Sequence, residues 1–190
     1  MKSSKDGRDI YGLIEALGEK REPLTQKEAL ESLVKLGEST VDALILALKD
    51  KRWSVRERAA VALGRIRDAR AVDPLIQVLK DEDKRVEWAV AYALGEIGDA
   101  RAALSLIQIL REERCAVPRE VVTALGKIGD PKAVEPISEV LLDVTSNVRD
   151  EAALALGRIG DSRAIPVLEK VLKDDDKFVR EAAEEALEML

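Results

Sequence analysis

Apolar residues recur at three- and four-residue intervals through most of this chain. In the string VDPLIQVLKD, Val72, Leu75, Ile76 and Leu79 form one stripe, and in VRERAAVALGRIRD, Val55, Ala59, Ala62, Leu63 and Ile66 form another. Both follow the i, i+3, i+4, i+7 spacing that places apolar side chains on one face of an α-helix, and neither alternates as a strand would. The two strings then repeat. The second kind begins at Val55, Val86, Val117, Val148 and Val179, and the first at Val41, Val72, Ala103, Val134 and Ile165, with successive copies 31 residues apart. Earlier copies open at Ile10 and Thr25, the latter with a loop one residue shorter. A pair of short helices buries its stripes only by stacking on the next pair, so the period predicts an array of antiparallel helix pairs. We expect residues 9–190 to form a single array of about six units, and residues 1–8 a flexible tail.

Small residues sharpen the prediction. Ala60 and Gly64 make a smooth strip on the second helix, and Gly95, Gly126 and Gly157 recur at the second position. Glycine inside a helix costs about 1 kcal/mol relative to alanine, so close helix packing is its expected compensation. Gly98, Gly129 and Gly160 suit the left-handed residue that closes a helix, and Asp99, Asp130 and Asp161 can cap the next one. Arg67 occupies the equivalent position in an earlier repeat, which weakens that turn's signature. Pro74, Pro136 and Pro166 fall near the starts of first helices, where a missing amide donor is tolerated. At the far end, Glu184 and Glu188 replace Ala60 and Gly64, so residues 179–190 read as a polar cap at which the array ends.

Composition removes several kinds of chemistry. The chain has no histidine, so the usual general base and the commonest metal ligand are missing, and we expect no catalytic residues, no metal and no cofactor. Its one cysteine, Cys115, cannot form an intrachain disulfide, which points to a reducing, cytoplasmic setting. Arg111 and Arg114 are too little to make it a reactive thiol; a small loop residue is expected. Apolar runs are too short for a membrane span, which needs about 20 residues. The net charge of −6 argues against a general polyanion binder.

The unit VRxxAAxALGxIGDxRAVxPLIxxLKD, carried with variation at 55–81 and 148–173, resembles the HEAT-like repeat of the phycobilisome-lyase type. The four ALG motifs at 62–64, 93–95, 124–126 and 155–157 extend the resemblance over about 180 of the 190 residues. It implies second helices along a concave face, with variable residues there meeting partners. It also implies arginines at 56, 149 and 180 paired with capping aspartates across repeats, a ladder interrupted by Glu87 and Pro118. The family includes chromophore lyases, deoxyhypusine hydroxylase, adaptors and engineered helical binding scaffolds. Hydroxylase chemistry rests on a di-iron centre held by His–Glu pairs, which a chain without histidine cannot build. A bilin lyase-like role, handling a tetrapyrrole beside a partner subunit, stays as the alternative.

Helical geometry picks out a candidate surface before any family does. After the buried stripe, each second helix is left with positions such as Ser54, Glu57, Arg58, Val61 and Arg65, or Arg85, Trp88, Ala89, Tyr92 and Glu96. These vary between repeats while the buried set barely changes. One row, Val61, Tyr92, Thr123 and Leu154, is apolar, and Trp88 lies one turn from Tyr92. Exposed aromatics are the usual anchors of an interface, and Arg58, Arg65, Arg119 and Lys127 would form its polar rim. The alternative is that Trp88 and Tyr92 merely stack on each other over Ala-rich surface. Charges at the leftover positions sum to slightly negative, unlike a phosphate track, so nucleic acid is not expected. Trp53 is expected in a loop. The expectation is an all-α, right-handed α-solenoid of 31-residue HEAT-like repeats. It would act as a monomeric, non-catalytic scaffold for an unidentified protein partner, with no nucleic acid and no membrane.

Overall fold

The computed structural model describes residues 3–18, 23–112 and 115–190, and among these every regular element is helical. In chain order the α-helices are α1 (Ser3–Leu17), α2 (Pro23–Leu36), α3 (Val41–Ala47), α4 (Trp53–Ile66), α5 (Val72–Gln77) and α6 (Lys84–Ile97). There follow α7 (Ala103–Leu110), α8 (Pro118–Ile128), α9 (Val134–Leu142), α10 (Arg149–Ile159), α11 (Ile165–Val171) and α12 (Lys177–Met189). The first helices of the five later repeats start at the residues at which their apolar strings start. At the other end of the chain, α1 runs back to Ser3, across most of the stretch expected as a tail. Residues 1 and 2 of that stretch lie outside the described residues.

The chain gathers into two compact units, Met1–Ile97 and Gly98–Leu190. In the first, α4 packs along α6, with α3 against α4 and α5 against α6. Leu44, Leu48, Leu63, Leu75 and Leu94 are fully buried there. In the second, α10 packs between α8 and α12 with α9 beneath it, over Leu106, Leu125, Ile137, Leu141 and Leu156. Removing any one of these from water contributes roughly 1.5–3 kcal/mol, so the stripes supply the main favourable term.

The motif glycines sit where second helices touch. A Cβ at Gly64 would stand 2.7 Å from the Ala93 Cα, one at Gly126 2.9 Å from the Ala155 Cα, and one at Gly157 2.7 Å from the Ala186 Cα. In each case the obstacle is backbone, which cannot step aside as a side chain can.

The connections are equally regular. Gly98, Gly129 and Gly160 all have φ of 72°, and Arg67 takes the same left-handed conformation, φ 60°, so the turn forms without glycine there. Its amide still donates to the Leu63 carbonyl at 3.0 Å. Asp68, Asp99, Asp130 and Asp161 then accept from the amide two residues on. What they cap is a short 3₁₀ turn that leads into the first helix. Arg163 folds back onto Asp161 and, through side-chain and amide hydrogen bonds, holds its carboxyl at about 2.

The arginine ladder exists, with different acceptors from those expected. Arg56 clamps the Asp81 carboxylate at 2.7 and 2.8 Å and also donates to the Asp50 carbonyl, and both side chains are more than nine-tenths buried. Arg149 grips Asp174 in the same way and donates to the Leu141 carbonyl. The partners are therefore the aspartates that precede second helices, 25 residues on, and not the capping aspartates after them. Arg180 donates to the carbonyls of Asp174 and Asp175 and, among the described residues, to no carboxylate. Glu184 and Glu188 are exposed on α12, opposite the buried Ala183 and Ala186.

Candidate functional site

Close approach at Gly64 shapes the surface above it. The Tyr92 ring reaches to 3.5 Å from where a Gly64 Cβ would stand, so α6 lays this aromatic across the neighbouring helix. Trp88, four residues earlier and hence on the same face, stacks on Tyr92 with ring centroids 5.6 Å apart and planes within 3° of parallel. Such a pair is worth roughly 0.5–1.5 kcal/mol beyond its buried area, enough to hold the indole in one orientation. Trp88 nevertheless keeps 40% of its surface exposed, while Val61 and Tyr92 are half-buried. The two readings of the pair are thus compatible: the rings stack, and a large aromatic face remains open.

The cations expected at the rim are already engaged. Arg65 forms a two-point ion pair with Glu31 of α2 at 2.7 and 2.8 Å, and hydrogen bonding from that guanidinium lowers the Glu31 carboxyl. Arg58 donates to the Gln26 side chain, to the Leu17 carbonyl and to its own helix at Ser54. Beyond Tyr92, Arg67 pairs with Glu96. Glu57, half-buried in the row that contains Trp88, has its carboxyl pushed up by burial, against the lowering effect of Arg58 and Arg85. This rim is a set of ion pairs already made within the first unit.

Two positions assigned to the surface are buried. Ser54 lies under the turn that Arg58 folds back across, and Ala89 offers a single methyl that its neighbours cover completely. Trp53 is the first residue of α4, not a loop residue. Arg85, hydrogen-bonded to Asp83, sets its guanidinium 3.4 Å from the centre of the Trp53 ring, a cation–π contact that links the starts of α4 and α6. The signal for it was the 32-residue separation, one repeat plus one.

In the second unit, Thr123 of α8 and Leu154 of α10 occupy the equivalent row and are half-buried. Thr123 turns its hydroxyl onto the Arg119 carbonyl at 2.8 Å. Arg119 pairs with Asp150 through both nitrogens, at 3.0 and 3.2 Å, and Lys127 is exposed. Cys115 is half-buried; Arg111 turns to Glu139, and Arg114 lies outside the described residues. Among the described residues no three Cys, Asp or Glu side chains gather as a metal site, and no helix is long and apolar enough to cross a membrane.

A family model described as HEAT repeats matches residues 41–114 and 103–188. No curated protein matches the chain. Among solved structures, an engineered protein is 26% identical, over 95% of this chain and 96% of that one, with a TM-score of 0.66. The complex of CpcE and CpcF of phycocyanin lyase from Nostoc sp. PCC7120 is 29% identical, over 94% of this chain and 75% of that one, with a TM-score of 0.67. The archaeal HEAT-like repeats protein from Thermococcus onnurineus NA1 shares the fold, at 20% identity, 95% and 79% coverage and a TM-score of 0.62.

Proposed function

We propose that this chain, which belongs to the HEAT repeats family, is a non-catalytic scaffold that captures a protein partner on the aromatic face of α4 and α6. The observation that carries the reading is the Trp88–Tyr92 stack, rigidly held yet with much of the indole open to solvent. A preformed aromatic anchor loses little conformational freedom on binding, which is where flexible surfaces lose affinity. Val61 extends the apolar area, and the ion pairs at Arg58 and Arg65 would frame it as a water-excluding rim. Thr123, Leu154, Arg119 and Lys127 make the corresponding face of the second unit, where no aromatic stands and a smaller contribution is expected. A chain with one cysteine, which cannot close an intrachain disulfide, suits work in a reducing compartment such as the cytoplasm.

The test is an affinity capture from an extract of the source organism, with the wild type beside Trp88→Ala. A recognition surface predicts loss of partner affinity by about 2 kcal/mol, typical of an aromatic hot spot. Equal capture by both would end the proposal. A second reading, bilin handling, is favoured by the likeness to the phycocyanin lyase complex. It predicts a shifted tetrapyrrole absorption band when phycocyanobilin is mixed with the protein, and an unshifted band removes it.

A further inference from the structure

The loop between α9 and α10 breaks a rule kept by the copies that open at Val41, Val72, Ala103 and Ile165. At the position of Leu142 they carry Lys49, Lys80, Arg111 and Lys173, and at the position of Val144 they carry Lys51, Glu82, Glu113 and Asp175. In this repeat alone both charges give way to aliphatic residues, and neither is buried: Leu142 is 42% and Val144 80% exposed. They line one wall of a surface recess of about 320 Å³ in the second unit. Its floor includes the buried Val171 and the Arg149–Asp174 pair, and its other wall carries Lys170, Lys173 and the exposed Asp175. Among the described residues neither lysine has an acidic partner. Lys170 is also the one cation in its row, where Leu46, Gln77, Gln108 and Glu139 stand in the other repeats.

Two exposed aliphatic side chains share this recess with two lysines that form no ion pair among the described residues, and its three cations outnumber its two carboxylates, which together define a complementary ligand. We propose that this recess binds a peptide segment presenting one aliphatic side chain flanked by Asp or Glu, with the aliphatic group against Leu142 and Val144 and the carboxylates on Lys170 and Lys173. The volume suits one aliphatic side chain with adjoining backbone. The chain's net charge of −6 does not oppose this, because repulsion from distant carboxylates is screened beyond about 8 Å at physiological salt, whereas the lysines act at contact. The proposal is independent of the aromatic face in the first unit.

The probe is the peptide acetyl-DELED-amide, titrated into isotope-labelled protein and followed by NMR, with acetyl-DEAED-amide and acetyl-KKLKK-amide as controls. Expected are sub-millimolar binding of the first, shifts centred on the amides of Leu142, Val144, Lys170 and Lys173, and at least tenfold weaker binding of both controls. Leu142→Lys and Val144→Glu install residues that sister repeats already carry, so folding is retained, and each should weaken binding at least tenfold. Lys170→Glu should do the same. No binding of the first peptide, equal binding of the basic one, shifts centred elsewhere, or unchanged affinity in the loop variants would each overturn the proposal.

Discussion

In the first unit Gly64 lies against Ala93 and Arg56 clamps Asp81; in the second Gly157 lies against Ala186 and Arg149 clamps Asp174. The α4–α6 and α10–α12 pairs are thus joined by the same backbone contact and the same buried ion pair. Above those contacts they diverge. One pair presents Val61, Trp88 and Tyr92, whereas the other presents Leu154 among Asp150, Glu151, Glu181 and Glu185. The lesson is that packing and surface chemistry are set by separate residues of one helix: the inner set is fixed by geometry, and the outer set is free to change.

The most severe way to break the likeness is to remove one member of a clamp. Asp81→Ala leaves a buried guanidinium without its carboxylate and should cost about 3–5 kcal/mol of stability, and Asp174→Ala should behave alike in the second unit. Chemical denaturation of each variant checks both. Next comes the helix contact. Gly64→Leu and Gly157→Leu each force a side chain into neighbouring backbone, at an expected cost of about 1–3 kcal/mol. Only Gly64→Leu should also disturb Trp88 fluorescence, because Tyr92 lies over that glycine alone.

Trp88→Ala should lower stability by only about 1 kcal/mol, the worth of an exposed stack, against about 3–5 kcal/mol for a core tryptophan. A loss in the larger range would mean that the outer face is structural after all. Acid should act on both units. Arg85 holds the Asp83 carboxyl at about 2, and Arg163 does the same for Asp161. Depressed values favour the folded state above the ordinary carboxylate range, so that stabilisation is intact at neutral pH and is lost as pH falls from about 4 to about 2. Thermal midpoints should therefore be level from neutral pH into the weakly acidic range and drop below it. The smallest effect is expected for Arg67→Gly: relief of the left-handed strain, offset by glycine's greater unfolded freedom, should raise stability by at most about 1 kcal/mol.

Much of the fold was legible because every repeat votes on the same position. Five copies of one string locate the helix starts at Val41, Val72, Ala103, Val134 and Ile165, and the glycines of the ALG motif mark the helix contacts at Gly64, Gly126 and Gly157. What a single position alone decides was harder to read. Trp53 begins α4 because Asp50 caps the preceding turn through the Arg52 amide at 2.8 Å, a bond the apolar pattern does not encode. Ser54 is buried, and its carbonyl accepts from an arginine that folds back along its own helix. The candidate face was legible in its apolar row, but not in its rim. Arg65 and Glu31, or Arg119 and Asp150, are separated by about one repeat, so that only three-dimensional stacking reveals them as partners.

The glycine–alanine contact also has a mechanical meaning. A slide of α6 along α4 by one helical turn, about 5.4 Å, would bring the Ala93 backbone from the gap at Gly64 to the methyl of Ala60, where the gap is filled. Larger side chains can reshuffle their rotamers to accommodate such a step, whereas a methyl has no rotamers to change. The seam therefore acts as a ratchet tooth: neighbouring second helices can hinge open or stay in register, but creep past one another is barred.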